Sequence, residues 1–281
     1  MRFICQARLF NVFFDLNLMK RFAFYILISL FSLSSCSIKE NRENVPCNLV
    51  VDYSNADPDY HHIRTILSTK HGNIHVSFDT LTIADHVPNG FEILSPKGFG
   101  KLSSITGFEQ VYYKGDSLCT RSGRSFDKIF AFKSETDCRW DTGREYVEFS
   151  KQHCVMTIKS KTPVAGYYPY NMRVRSTSVG MNIYTFEPVL GDFSAFASKN
   201  RDGTLEIILP RQYDDSMMLD IVDPNGKTEM SFKVGMMIKA AGYNWNSEKL
   251  DDITVTIDYA SMTISVEVEN WTERDEGTII I

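Results

Sequence analysis

Past residue 46, apolar positions recur mostly every second residue, the period of a strand with one face buried. In residues 73–83, Ile74, Val76 and Phe78 alternate with His75, Ser77 and Asp79, which predicts a half-buried strand. Residues 47–53 are rich in β-formers and predict the strand that opens the folded region. Further strands are expected at 91–94, 110–113, 128–132, 145–149 and 155–159, separated by Gly, Ser, Asp and Asn clusters at the spacing of a sandwich. The pattern returns at 182–186, 204–209, 217–222, 230–240, 253–259 and 262–271. Asp223-Pro224-Asn225-Gly226 reads as a turn, because Pro fixes the early φ and Asn-Gly tolerates positive φ, so residues 217–234 form a hairpin. A second hairpin alternates around Ala260-Ser261. Only residues 189–198 read as a short helical turn.

Pro163, Gly166 and Pro169 interrupt the pattern between Thr162 and Tyr170 and place a domain boundary there. The expected architecture is all-β, with two β-sandwich domains in tandem, residues 47–166 and 167–281.

The first 46 residues follow a different logic. Met19-Lys20-Arg21 precede a twelve-residue apolar block, Phe22 to Leu33, and then Ser34-Ser35-Cys36. A bilayer-spanning helix takes about 20 apolar residues, so the block reads as part of a signal peptide over residues 1–35, with Met19 as the expected true start. Leu33-Ser34-Ser35-Cys36 resembles the bacterial lipobox, which makes Cys36 the acylated first residue of the mature chain. Two or three acyl chains, at about 0.8 kcal/mol per buried methylene, hold a soluble domain at a bilayer. Residues 36–46 then form the lipidated cysteine and a polar tether. Ser37 stands where Asp would favour the inner membrane, so the outer membrane is the expected location.

Charge narrows the partners. Arg2, Arg8, Lys20 and Arg21 face only Asp15 in the leader, leaving 26 basic and 34 acidic side chains afterwards. No basic domain remains to track phosphates, so a nucleic-acid partner is excluded. With Cys5 upstream of the signal and Cys36 acylated, Cys47, Cys119, Cys138 and Cys154 enter an oxidising compartment. Their spacing matches no zinc motif, and one or two disulfides or buried free thiols are expected. His153 and Cys154 are adjacent on a strand, point to opposite faces and make no dyad alone. His61, His62, His71, His75 and His86 read as solvated loop histidines, and no metal or cofactor is expected. Asp214-Asp215 and Asp251-Asp252 read as solvated loop or strand-start charges, and Gly98-Phe99-Gly100-Lys101 as a turn. Tyr112, Tyr113, Trp140, Tyr167, Tyr168 and Trp245 are the candidates for a sugar-stacking surface.

Cys36-Ser37-Ile38-Lys39-Glu40, then residues 45–53 and the closing run from Asp252 to Asn270-Trp271, together resemble the fimbrillin-associated anchor subunits of Bacteroidales, the FimB/Mfa2 family. The resemblance spans residues 36–281. It implies transthyretin-like sandwiches, no enzymatic activity, and a lipid-held subunit at the base of a fimbrium that anchors the fibre and limits its length. It also implies fimbrial stalk subunits (fimbrillin) as partners, joined by donor-strand pairing, in which one chain's extended segment completes another's sheet. Thr278, Ile279, Ile280 and Ile281 are the candidate edge strand, with pairing inside the parent sheet weighed ahead of pairing between subunits. The alternative is a surface glycan-binding lipoprotein of a polysaccharide uptake system, marked by an exposed aromatic platform instead of an open sheet edge.

Overall fold

A computed structural model describes residues 42–57, 62–78, 90–161, 170–258 and 263–269. In β1 (Cys47–Asp52), Cys47, Leu49 and Val51 have no exposed surface, as a period of two requires. β1 pairs antiparallel with β4 (Phe91–Ser95) and parallel with β9 (Thr142–Tyr146) in a three-stranded sheet. The facing sheet has the order β10 (Ser150–Lys151), β8 (Phe130–Asp137), β5 (Phe99–Thr106), β2 (Ile63–Thr69), β3 (Gly72–Phe78). Leu49, Val51 and Ile93 from one sheet meet Ile63, Leu67 and Leu102 from the other, which is the core of the first sandwich. Inside that core the Tyr53 hydroxyl is hydrogen-bonded to Thr65, whose Oγ1 lies 2.9 Å from Ser104 Oγ, so the buried hydroxyls satisfy one another.

The second sandwich has one sheet in the order β14 (Ser198–Lys199), β15 (Leu205–Pro210), β11 (His153–Ser160), β18 (Asp252–Asp258), β19 (Thr263–Glu269). The other is built on β12 (Asn171–Asn182), which pairs with β13 (Pro188–Phe196) on one side. On its other side β12 pairs first with β16 (Met218–Val222), itself bonded to β17 (Thr228–Phe232), and farther along with β7 (Ser117–Cys119), bonded to β6 (Tyr112–Lys114). Met156, Val255 and Leu209 pack against Val174, Phe193 and Leu219 between the sheets.

A third core joins the two. Ile66, Ile105 and Ala131 point from the opposite face of the first sandwich's larger sheet and meet Leu118, Met181 and Ile183. That sheet is therefore buried on both faces, and residues 45–281 form one unit.

Several expectations are corrected. Residues 189–198 are no helical turn: β13 pairs along β12 and sends Phe193 and Ala195 into the core. The run 230–240 is not one strand, because β17 ends at Phe232 and α1 (Val234–Ala240) follows. Val234 and Ile238, four residues apart and unexposed, form the buried stripe of that helix. Residues 183–186 lie in a turn, since Asn182 Oδ1 accepts from the amides of Tyr184 at 2.9 Å and Thr185 at 3.0 Å and competes with the ladder. Phe99 and Gly100 open β5 instead of forming a turn. The Asp223–Gly226 turn forms as expected, with Gly226 at φ +87. Residues 162–169 of the expected boundary lie outside the described residues, and β11, just before them, pairs with β15 and β18.

Candidate functional site

Where the chain crosses between sandwiches it carries four polar residues, Ser150-Lys151-Gln152-His153, all between 0% and 5% exposed. Burying such groups costs several kcal/mol, on the order of 2–7 each, unless each finds a partner. Each does. Ser150 Oγ donates to Ala131 O at 3.0 Å, and Gln152 Nε2 donates to Ser150 Oγ at 2.7 Å and Glu248 O at 2.9 Å. Lys151 Nζ lies 2.6 Å from Asp252 Oδ1, which also accepts from Val155 N at 2.7 Å. His153 Nδ1 sits 3.0 Å from Ile129 O. Burial pushes the His153 imidazole down to about 3, so the ring is neutral near pH 7 and Nδ1 is the donor. Cys154 points away into the second core, beside the Tyr243 hydroxyl, and burial pushes its thiol upward. The adjacent histidine and cysteine thus stand back to back, with no nucleophile and base in contact.

A cleft of about 510 Å³ opens beside this junction, with Phe132, Tyr146 and Glu148 contributed by the first sandwich and Arg211, Asn246 and Glu248 by the second. Lys133 at its wall donates to Thr185 O at 2.5 Å and lies 4.5 Å over the Phe186 ring, and desolvation lowers its pKa. The cleft offers rings, carboxylates, amides and the cations Lys133, Arg211 and Lys249, with Lys249 Nζ 3.9 Å from Glu148 Oε1.

The second sandwich also presents sheet edges. Among the described residues β19 pairs with β18 alone, in register from Asp252↔Glu269 to Asp258↔Thr263. Its Ile264, Val266 and Val268 are only half-buried against the core, while Thr263, Ser265, Glu267 and Glu269 face solvent. β13, flanking the other sheet, exposes 61% of Leu190 and 48% of Phe196. Extended edges with an apolar face are where a further strand can pair.

The predicted residues divide by location. Cys36 and Thr278, Ile279, Ile280 and Ile281 lie outside the described residues, as do His61, His86, Tyr167 and Tyr168. Cys47, Cys119, Cys138 and Cys154 are all buried. The aromatic candidates do not converge: Trp245 packs on Tyr243 at 4.5 Å and Tyr113 lies beneath Arg64 at 4.6 Å. Trp140 is 70% exposed beyond β8, and Tyr112 is on β6 of the other sandwich. Asp252, read as a solvated loop or strand-start charge, does open β18, and it is also the partner of the buried Lys151. Sequence reasoning missed the junction and its cleft, because four consecutive polar residues carry no burial signal of their own.

The geometry defines a class: a two-sandwich β-protein with a sealed polar junction and open strand edges. It shares its fold with Mfa2-like fimbrial and adhesin proteins. The chain is similar to a candidate polysaccharide-binding protein of Bacteroides thetaiotaomicron, 11% identical with a TM-score of 0.56 over 81% of this chain and 99% of that one. A candidate adhesin of Bacteroides ovatus is 11% identical with a TM-score of 0.54, over 85% of this chain and 99% of that one. The fimbrial anchor protein Mfa2 of Porphyromonas gingivalis is 11% identical with a TM-score of 0.50, over 80% and 98%. No protein-family model matches the sequence, and no curated protein is significantly similar to it.

Proposed function

We propose that this chain is a non-enzymatic fimbrial anchor, held in the outer membrane by acylated Cys36 and holding a stalk subunit by strand pairing, so that it retains the fibre and limits its length. The observation that carries the reading is the two-sandwich fold shared along nearly the whole length of Mfa2, the fimbrial anchor protein of Porphyromonas gingivalis. The lipobox-like Leu33-Ser34-Ser35-Cys36 and the half-buried apolar row of β19 support it. Strand addition supplies main-chain hydrogen bonds for affinity and alternate pockets for specificity, which an edge such as β19 offers. The test has two parts. Cys36→Ala should release the protein from the outer-membrane fraction, and deleting the gene should give longer or shed fibres. Deleting residues 277–281 alone then asks whether that segment takes part. Unchanged fractionation rejects the anchor, and normal fibre length and retention without the protein reject the fimbrial role.

A second reading draws on the cleft, where Tyr146 and Phe132 stand near Glu148 and Asn246, a mixture of rings and polar groups suited to a sugar. The similar B. thetaiotaomicron protein is a candidate for polysaccharide binding. Specific binding of the purified protein to a polysaccharide, lost in Tyr146→Ala, would establish it.

A further inference from the structure

We propose that Cys47 and Cys138 are joined by a disulfide in the exported protein, while Cys119 and Cys154 remain thiols. Both side chains belong to the first sandwich's core, with 0% and 1% exposure, and Cys138 is among the neighbours that push the Cys47 thiol upward. Backbone bonds fix both residues in place. Asn48 N, next to Cys47, donates to Asp141 O at 2.8 Å, and Cys138 N donates to Gly98 O at 2.8 Å. A Cβ placed on Gly143 would stand 3.7 Å from Cys47 Sγ and 3.8 Å from Asp137 O, which sets the Cys47 sulfur against the connection that carries Cys138. For Cys119 and Cys154, no cysteine among the described residues is one of the groups acting on the thiol. They sit on β7 and β11, in different sheets, where the groups acting on their thiols include Lys114 and Tyr243 respectively.

Of the six single bridges that four cysteines allow, the fold therefore selects one and leaves two thiols. The chemistry is thiol–disulfide exchange with an oxidant of the exported compartment, a protein disulfide. One thiolate attacks the oxidant's S–S bond to give a mixed disulfide, and the second thiolate displaces it. One S–S bond forms here and one breaks there, two electrons pass to the oxidant, and it leaves as a dithiol. In the closed core burial pushes the Cys47 thiol up to about 11, so thiolate is scarce and the exchange occurs before the core seals.

The bridge would close a loop of about 90 residues and fasten β1 to the end of β8 in the facing sheet. β1 is the first strand after the segment read as a membrane tether, so a pull on that segment loads β1 first. The bond shares that load with the facing sheet.

The inference rests on the export reading, and the experiment separates the two. The full chain, taken from its own cells, is denatured without reductant, alkylated and peptide-mapped. In parallel, the denatured and reduced chain is refolded in a glutathione buffer and mapped the same way. The expected result in both arms is one bridged peptide pair, Cys47 with Cys138, and alkylation of Cys119 and Cys154. Cys47→Ser should then expose Cys138 as one additional alkylated thiol, and Cys119→Ser should leave the bridge in place. Four alkylated body cysteines after refolding, or a bridge to Cys119 or Cys154, overturns the pairing. A bridge in the refolded chain with free thiols in the cellular one upholds the pairing and overturns export.

Discussion

Arg211 Nε donates to Gln152 Oε1 at 2.9 Å, linking the second sandwich to the strand crossing from the first. The same guanidinium donates to Trp245 O at 2.7 Å and Glu248 O at 2.9 Å, so one side chain, 4% exposed, satisfies three acceptors around the junction. Its planar fork is suited to this, and desolvation lowers its pKa to about 10, still far above neutrality.

Arg211→Met keeps most of the volume and removes every donor. Three neutral acceptors lose this donor, at about 1–3 kcal/mol for each left unpaired. That no charge is buried any longer offsets part of this, so the expected loss is about 2–4 kcal/mol, read as a lower urea midpoint. A loss under about 1 kcal/mol would mean that the junction is not held by this residue.

The second sandwich carries a charged cluster of the opposite arrangement. The Asp220 carboxylate is buried, and accepts from Arg175 Nε at 2.6 Å, Arg173 Nη2 at 2.8 Å and Ser231 Oγ at 2.7 Å. Although burial alone would raise its pKa, these donors hold it far below the carboxylate range. Its stabilising contribution is therefore present above the unfolded carboxylate pKa and disappears as pH falls toward the folded value. The arginines are 25% and 46% exposed and can return to water, whereas the carboxylate cannot. Replacing both arginines by Met should cost about 3–5 kcal/mol and exceed the cost of Asp220→Asn. Equal costs in urea unfolding would show that the aspartate is not the constrained member.

Gly180 marks where β7 of the first half docks on β12. A Cβ there would come 1.9 Å from Leu118 O, a contact with backbone that no rotamer relieves. Gly180→Ala should push β7 away and cost about 3 kcal/mol, with Leu118 and Met181 losing their packing. Full stability with wild-type hydrogen exchange at Leu118 would contradict this.

The same position explains what the sequence concealed. β12 is the longest strand, yet Ser176, Ser178 and Gly180 replace apolar residues along it, because another backbone approaches there and Ser178 Oγ instead accepts from Tyr213 N at 2.9 Å. The period-two signal is lost over half its length, whereas β18 and β19 keep it and both were legible. β2 and β5 were hidden differently. With Ile66 and Leu67 facing opposite cores, their apolar residues run together instead of alternating. The cysteines were legible as buried thiols or disulfides, but their pairing required the contact between β1 and the end of β8. The polar junction gave no signal, since its burial depends on partners as distant as Glu248 and Asp252.

His153 gives the last prediction its sign. In the fold its pKa is lowered to about 3 by burial, against about 6.5 in the unfolded chain, so between those values only the unfolded state takes up the proton. Stability contributed by the neutral ring is complete above the unfolded pKa and falls with acidification, by up to about 1.4 kcal/mol per pH unit. Depressed carboxylates such as Asp52 and Asp220 add their own loss only nearer pH 4, which leaves a window from about 4.5 to 6.5 for the histidine. His153→Asn keeps an N–H for Ile129 O but cannot titrate. Urea midpoints measured across that window should slope for the wild type and lie nearly flat for the variant. Parallel slopes would mean that the imidazole is already charged, or already solvated, in the fold.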